Sequence, residues 1–292
     1  MRAPQTTPPR LTSAPYLLVA PLALVLVVFF GIPLLLVVIV SFFDLDKFDI
    51  IPTFVLTNYS ELFGSSLTYA LYAKTIKYAL IVWAITLVIG FTVSYFLVFH
   101  VRNVLWQIAL FLLCTVPFWT SNVIRMISWI PFLGRNGLFN QSLMALGLTH
   151  RPVEFLLFSD FSVVIAYVHL FSLFMIVPIF NSMARIDRAV IEAAADGGAS
   201  RFRIITDIVI PLSKTGIALG SIFVIALVMG DFFVVKVMSG GQSASVVAAM
   251  SNEIAILQYP PAAANAVCLL VLVTLMVAVI MRVVDVRREL SG

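Results

Sequence analysis

Charge is scarce in this sequence. Lys, Arg, Asp and Glu make up 11% of its 292 residues, whereas hydrophobic residues make up 62% and the mean hydropathy is +1.09. Soluble domains carry about a quarter charged residues and are roughly half apolar. The apolar residues also form uninterrupted runs longer than the roughly 20 residues that cross a bilayer. This composition excludes an ordinary soluble domain and predicts a polytopic membrane protein.

Catalytic and metal-binding patterns are also lacking. Cys114 and Cys268 lie inside apolar runs with no C-x-x-C pair. The three histidines are scattered, with no H-E-x-x-H, and no G-x-S-x-G elbow occurs. A Walker A loop needs glycine directly before its lysine, and none of the five lysines follows a glycine. We therefore expect no enzyme, no metal site and no bound cofactor on this chain.

Charge-free stretches predict six membrane-spanning helices behind a disordered cytoplasmic tail at 1–15. The first stretch is too long for a signal-peptide core, which typically has about 7 to 15 residues. The third allows a continuation past Arg125 to Trp129, and the fifth contains one acid, Asp231. The predicted spans are Tyr16 to Phe43, Tyr78 to Phe99, Val104 to Ile124, Phe161 to Ala184, Thr215 to about Met238, and about Ala262 to Met281.

The distribution of basic residues predicts the orientation. With the amino terminus inside, eleven of the eighteen basic residues fall in short cytoplasmic segments, as the positive-inside rule requires. The same rule explains the net charge of +4 without nucleic-acid binding. The predicted external connections are 44–77 and 130–160. Three interpretations stay open: they cap the external opening of a transport path, they bind a partner, or they are only solvated loops. The eleven are Arg2, Arg10, Arg102, Arg185, Arg188, Arg201, Arg203, Lys214, Arg282, Arg287 and Arg288.

One cytoplasmic loop, Arg185 to Lys214, differs from the others because it is both charged and half apolar. Asp187 is placed to cap a helix that runs through Asp196, and Gly197-Gly198 to end it through a left-handed turn. Ser200 is placed to cap a second helix, which we expect Pro211 to stop. The loop is thus predicted to be two short helices joined by a glycine elbow.

The second of these helices carries an apolar stripe at helical spacing, formed by Phe202, Ile205 and Ile208 or Val209. Such a stripe in the cytoplasm needs a cover. It lies on the bilayer or packs under the protein's own helices, or else it docks into a groove on a soluble partner.

The residues of this loop resemble a known signature. Glu192-Ala193-Ala194 is followed by Gly198 six positions after the glutamate, then Ala199, Phe202 and Ile210-Pro211. This pattern is similar to the EAA motif of ABC-importer permeases, and the resemblance extends over roughly Tyr69 to Arg282.

The resemblance implies an all-α membrane protein with the type I ABC importer permease fold, six spans and a short cytoplasmic coupling helix. It implies docking to ATPases through Glu192, Ala193, Ala194, Gly198, Ala199, Phe202 and Pro211. The implied division of the chain is a tail at 1–15, a first span and external loop at 16–72, a type I transmembrane core at 73–286 with its coupling loop at 185–214, and a tail at 287–292.

The implied partners are a homologous second permease, two ATPase subunits that bind ATP and Mg, and a periplasmic or extracellular solute-binding protein. The implied location is the bacterial inner membrane, among membrane lipid, with both termini cytoplasmic. The competing class is a self-sufficient secondary transporter or channel, which the EAA spacing and the lack of a second inverted repeat in six spans disfavour.

Within the permeases, the third span and its outer loop resemble those of the spermidine/putrescine permeases. The matching stretches are Pro117-Phe118-Trp119-Thr120-Ser121, Ile124-Arg125 with Trp129, Leu133 to Gly137 with Asn140, Met229 to Phe232, and Ser239-Gly240-Gly241. Permeases for ferric iron, thiamine, phosphonates and opine-like compounds share much of this pattern, so these solutes stay open.

An acid at bilayer depth is costly unless it faces water, a partner or a ligand. Asp231 is therefore a candidate for the substrate path, or else half of a structural ion pair. A polyamine would suit Asp231 together with the aromatic faces of Trp119 and Trp129. Arg125 argues for an anionic solute, or it neutralises an acid.

Overall fold

The computed structural model describes residues 14–46 and 49–284. The predicted tails at 1–15 and 287–292 lie outside these ranges, except that α1 begins at Ala14 and so includes the last two residues of the first tail. Positions 285 and 286, at the end of the predicted core, also lie outside.

Helices dominate the described residues, and their bounds follow in chain order. They are α1 Ala14–Leu26, α2 Ile32–Val40, α3 Thr57–Gly64, α4 Ser66–Tyr95, α5 Val104–Thr115, α6 Asn122–Leu133, α7 Leu138–Ala145, α8 Asp160–Met183, α9 Arg188–Asp196, α10 Arg201–Ile204, α11 Ile210–Met229, α12 Phe233–Met238, α13 Val246–Ala255 and α14 Tyr259–Val284. Strands β1 Asp44–Asp46 and β2 Asp49–Ile51 form an antiparallel hairpin. Turns of π-helix lie at Val27–Gly31, Phe96–His100 and Ile205–Val209, and 3-10 turns at Val116–Trp119 and Glu154–Leu156.

Five continuous helical segments are long and apolar enough to cross a membrane, and a bent pair supplies a sixth. The six spans predicted from the sequence are obtained when that pair is counted as one. The segments are Val19–Val40, Ser66–His100, Glu154–Met183, Arg201–Met229 and Tyr259–Arg282, with Val104–Trp119 and Asn122–Ala145 as the bent pair.

The third span is not the straight helix that its charge-free run predicts. It bends by 89° between Val104–Trp119 and Asn122–Ala145. Pro117 lies in the 3-10 turn before the bend, and Thr120 is extended at φ −94° and ψ 149°. Proline lacks the amide hydrogen that an α-helix would use, which favours a break here. The predicted continuation to Trp129 is therefore a separate helix with a new direction.

The fifth span begins and ends earlier than predicted. Pro211 does not stop the second loop helix, because helical structure continues from Arg201 to Met229. A π-helical turn precedes Pro211, which occupies the first turn of α11, where its missing amide hydrogen costs least. At the outer end the helix stops before Asp231, which lies in the break between α11 and α12.

The second span also starts earlier, at Ser66 instead of Tyr78, and so takes in two lysines. Asp160, at the start of α8, lies 3.1 Å from Lys74 Nζ and 3.7 Å from Lys77 Nζ. It also accepts a hydrogen bond from the Tyr78 hydroxyl at 2.6 Å. The two lysines interrupt the charge-free run, so the span predicted from the sequence begins after them. In the structure they lie within the helical segment, where the carboxylate of another helix pairs with them.

The core lies where α4, α8 and α11 pack against one another. Tyr78, Val82, Met175, Ile179 and Val224 are fully or almost fully buried there. Glycines let the helices approach closely, as small residues do in membrane helix pairs. A Cβ at Gly90 would lie 2.6 Å from Met175 Cγ, one at Gly220 would lie 2.7 Å from Met175 Sδ, and one at Gly216 would meet the Pro178 carbonyl oxygen.

Candidate functional site

The loop between α8 and α11 folds as its sequence predicts at the elbow. The Asp187 carboxylate accepts a hydrogen bond from the Ala189 amide at 2.9 Å and caps α9. At the other end Gly198 has φ +81°, a conformation that glycine adopts without strain. The Ala199 amide donates to the Ala194 carbonyl and the Gly198 amide to the Ala195 carbonyl, which is a Schellman motif.

The segment beyond the elbow starts at a second cap, where Ser200 Oγ accepts from the Arg203 amide at 3.4 Å. The predicted apolar stripe divides into two parts there. Phe202 is 75% exposed, Ile205 and Ile208 are half-buried, and Val209 is fully buried in the core. The start of the stripe therefore projects into solvent, and only its end packs under the chain's own helices.

The exposed face of this loop is small and chemically mixed. Glu192, Ala193 and Gly198 are exposed, while Ala194 and Ala199 pack partly against the core. Pro211 is exposed but belongs to the continuous fifth span. We name the residues 188–202, which form α9, the elbow and the start of α10, the coupling segment, after the role that the sequence resemblance implies for them.

Arg188 anchors the coupling segment to the membrane helices, although the sequence did not predict it as a site residue. Its guanidinium donates a hydrogen bond at 3.0 Å to the Val98 carbonyl, in the π-helical turn that ends the second span. A positive charge in the first turn of a helix opposes the helix dipole. That unfavourable position is the sequence signal that could have indicated a separate role.

A cavity of about 560 Å³ lies directly behind the coupling segment. It is bordered by the end of α8, the start of α9 and the first turns of α11. Asn181, Arg185 and Asp187 supply its polar groups, and Val177, Leu219 and Phe223 supply apolar ones. Movement of the coupling segment would therefore change the shape of this inner cavity.

The four residues predicted for the substrate path do not form one cluster. Trp119 is 83% exposed, just before the bend of the third span. Trp129 and Arg125, on α6, line a groove of about 410 Å³ together with His169 of α8. Asp231 is held elsewhere, at the break between α11 and α12.

The Asp231 carboxylate has a local structural role. Its Oδ1 accepts from the Val234 amide at 2.8 Å and from the Tyr167 hydroxyl at 3.3 Å. The first bond caps the start of α12 and the second ties the break to α8. No salt bridge to Asp231 occurs among the residues that the structure describes. The structural ion pair considered from the sequence is thus not formed within this part of the chain.

His169 joins the groove beside Arg125 and Trp129 and was not predicted as a site residue. Its Nδ1 accepts from Trp129 Nε1 at 3.2 Å, and their rings meet edge to face at 5.7 Å. An isolated histidine in an apolar run has no spacing pattern to reveal it. Only the approach of α6 to α8 places it in the groove.

A polar cavity of about 340 Å³ lies in the part of the chain predicted to be external. Asp44, Glu61 and Glu253 contribute three carboxylates to its lining, with Asn265 beside them. Burial raises the pKa of Glu253, and the hydrogen bond from Asn265 opposes that rise. This cavity lies outside the predicted substrate path.

No protein-family model matches the sequence. The sequence does match curated relatives. The chain is 31% identical over 259 residues to the spermidine/putrescine transport system permease protein PotB of Escherichia coli (strain K12), covering 88% of this chain and 93% of the relative. It is 30% identical over 262 residues to the protein of the same name from Haemophilus influenzae, covering 88% and 89%.

A more distant relative is the inner membrane ABC transporter permease protein YdcU of Escherichia coli (strain K12). It is 26% identical over 230 residues, which cover 75% of this chain and 72% of YdcU.

Solved structures show the same fold at low sequence identity. A chain of a bacterial alginate ABC transporter, in complex with an alginate pentasaccharide-bound periplasmic protein, matches with a TM-score of 0.72 and 14% identity, covering 92% of this chain and 93% of that one. A chain from a second structure of a bacterial alginate-importing ABC transporter matches with a TM-score of 0.65 and 17% identity, over 93% and 95%.

Proposed function

The chain belongs to the PotB family of ABC transporter permeases, and we propose that it forms half of the translocation path of an ATP-driven importer for a polyamine such as spermidine or putrescine. It is a transporter component and not a catalyst. We place it in the bacterial inner membrane with both termini cytoplasmic. Its partners in this proposal are a second, homologous permease, two ATPase subunits that bind ATP and Mg, and an external solute-binding protein.

The observation that carries the proposal is the exposed elbow at the cytoplasmic face. It presents Phe202 and Glu192 to solvent while its second helix continues into the membrane. An exposed aromatic side chain beside polar groups is typical of a residue that anchors a protein interface. We assign ATPase docking and its support to Glu192, Ala193, Ala194, Gly198, Ala199, Phe202 and Pro211.

The continuous helix behind that elbow is the element that we propose transmits movement of the coupling segment into the membrane. The segment Arg201–Met229 has 29 residues, so at 1.5 Å per residue it extends about 44 Å. This length exceeds the roughly 30 Å hydrocarbon core. In the proposed cycle, ATPase closure displaces the coupling segment, and this helix carries the displacement to the break at Asp231. The hydrogen bond from Arg188 to Val98 links the same motion to the second span.

A cationic solute is supported by the placement of acids. Three carboxylates line the external cavity, and Asp231 lies at the outer end of α11. Its Oδ1 is occupied by Val234 and Tyr167, which leaves Oδ2 as the oxygen proposed to meet an ammonium group. Trp119 and Trp129 complete the proposed solute contacts, with the exposed indole of Trp119 as a cation-π surface. Arg125 lines the path beside Trp129 without binding the cationic solute.

Reconstituted transport tests this function. The chain is to be co-expressed with its second permease and ATPase, and the complex placed in proteoliposomes with ATP on the ATPase side and the binding protein on the other. We expect ATP-dependent uptake of labelled spermidine or putrescine that requires the binding protein. Thiamine, a phosphonate, an opine and ferric iron serve as alternative solutes.

Two results would overturn parts of the proposal. Uptake that persists without ATP would identify a secondary transporter or channel. ATP-dependent uptake of one of the alternative solutes, with none of a polyamine, would keep the importer class and replace the solute.

A further inference from the structure

Arg125 is a buried cation whose charge has no partner in the described part of the chain. Its side chain is 8% exposed, and its Nε is buried without a hydrogen-bond acceptor. One terminal nitrogen donates to Asn122 Oδ1, a neutral group. The salt bridges found there join Asp160 to Lys74 and Lys77 and do not reach Arg125.

The open side of Arg125 faces the groove between α6 and α8. The groove of about 410 Å³ is lined by Thr120, Ile124, Arg125, Ser128, Trp129, Phe132 and His169. None of these side chains carries a negative charge. His169 accepts at Nδ1, so its imidazole offers at most one further N–H and no compensation for the arginine.

The groove lies deep in the membrane. His169 is at the middle of the segment Glu154–Met183, which contains more residues than a bilayer crossing requires. Lipid phosphate groups are at the bilayer surface and therefore do not reach this depth. A charged side chain at the centre of a span is costly unless it is paired or hydrated.

The remaining sources of negative charge are a transported solute and another protein chain. A solute is absent during part of each transport cycle, whereas the guanidinium is always charged. A protein carboxylate compensates it throughout. Ile124, which lines the groove, is 63% exposed, so this face of α6 is open to a neighbouring chain as well as to lipid.

We propose that a carboxylate of the second permease subunit enters this groove and pairs with Arg125. This inference rests on the proposed function, since it requires a second permease. Because Nε itself is buried, the terminal nitrogens of the guanidinium are the donors that we expect to meet the carboxylate. The pair removes a positive charge that would otherwise repel a polyamine from the path.

The first test compares two charge removals in the co-expressed complex. In Arg125→Gln the partner carboxylate would lose its counter-ion inside the membrane. Breaking a buried pair costs several kcal/mol, so we expect association between the two permeases to weaken about a hundredfold or more. Arg135→Gln is the matched control, because Arg135 is exposed in the outer loop. It should leave co-purification of the second permease unchanged.

Charge exchange identifies the partner residue. Each acid within the spans of the second permease is replaced by lysine in the background of Arg125→Glu. We expect one such exchange to restore co-purification and uptake. Restoration by none of them would overturn the proposed pair.

A photo-crosslink keeps the test independent of whether Arg125 variants fold. A benzophenone amino acid at Ile124, beside Arg125 and 63% exposed, should cross-link to the second permease in the assembled complex. Cross-links to lipid alone would contradict the proposal. So would normal assembly of Arg125→Gln with altered solute selectivity, because Arg125 would then contact solute.

Failure of the broader function is distinguishable from failure of this inference. If the wild-type chain does not co-purify with a second permease, the importer assignment itself is wrong. If it assembles and transports while Arg125→Gln assembles equally well, only the ion pair is wrong.

Discussion

Asp231 has a structural role in the fold, and we propose an electrostatic role for it toward the solute. Its Oδ1 caps α12 and accepts from Tyr167. Asparagine caps a helix about as well as aspartate, and it keeps an oxygen for both bonds. Asp231→Asn therefore removes the charge and keeps the local structure. The sequence alone did not show that asparagine could keep both hydrogen bonds.

We expect Asp231→Asn to assemble normally and to take up polyamine roughly tenfold more slowly, because a hydrogen bond to a charged group contributes about 1.5–3 kcal/mol. Uptake in proteoliposomes, normalised to assembled complex, measures this. Asp231→Ala is the contrasting variant, since it also loses the cap, worth about 1 kcal/mol. Unchanged polyamine uptake by Asp231→Asn would argue against both the site and the cationic solute.

Gly198 determines the direction of the elbow through its backbone alone. A Cβ there would meet nothing within 4 Å, so a larger side chain has room. The cost comes from φ +81°, which disfavours a non-glycine residue by about 1–2 kcal/mol. The turn would relax and present Phe202 in another direction.

We expect Gly198→Leu to leave the protein in the membrane but to lower transport and loosen the ATPase. Membrane content, uptake and ATPase co-purification are the three measurements. Gly197→Ala is the matched control, because Gly197 has φ −72°, which alanine adopts readily. Normal uptake together with normal ATPase binding in Gly198→Leu would mean that this loop is not the coupling element.

At the scale of elements, the close packing of α8 and α11 depends on glycine, which has no side chain to hold the helices apart. A Cβ at Gly216 would lie against the Pro178 carbonyl oxygen and 2.6 Å from Ser182 Cβ. Backbone atoms of a packed helix cannot move aside as a flexible side chain can. The two helices would have to separate just above the inner cavity that both of them line.

Gly216→Ala is expected to destabilise the protein, because overpacking typically costs about 1–3 kcal/mol and outweighs the roughly 1 kcal/mol that alanine gains over glycine in a helix. Thermal unfolding of the detergent-solubilised complex measures the effect as a lower Tm. Gly64→Ala makes the same chemical change at the end of α3, where a Cβ meets nothing within 4 Å, and should not lower Tm. Equal Tm values for the two variants would exclude a tight α8–α11 contact.

At the scale of the whole molecule, this chain is an ABC transporter permease, and we propose that its energy source lies on other subunits. No lysine follows a glycine, so no phosphate-binding loop of the Walker A type is present in the sequence. We propose that the coupling segment offers a docking face for those subunits and that energy reaches the spans mechanically.

We expect the purified chain to show no ATP hydrolysis, and to be isolated from membranes with a homologous permease and an ATPase dimer. Phosphate release, measured before and after the ATPase subunits are stripped away, tests this. Hydrolysis that stays with the isolated polypeptide would refute it, and the complete complex serves as the positive control.

Features that depend on neighbouring residues in the chain could be predicted from the sequence. The number of spans follows from the length of apolar runs. The elbow follows from Asp187, Gly198 and Ser200, whose capping and turn preferences act within a few residues. The family resemblance of the loop rests on the same short spacing.

Features that depend on distant contacts were decided only by the tertiary structure. Lys74 lies inside a span because Asp160 of another helix pairs with it. Pro211 ends no helix because a π-helical turn precedes it. Arg125 and His169 share a groove, and Asp231 meets Tyr167, because helices far apart in sequence pack together. Hydrophobic periodicity predicts which residues are shielded from water, but it does not predict which helix each polar group will face.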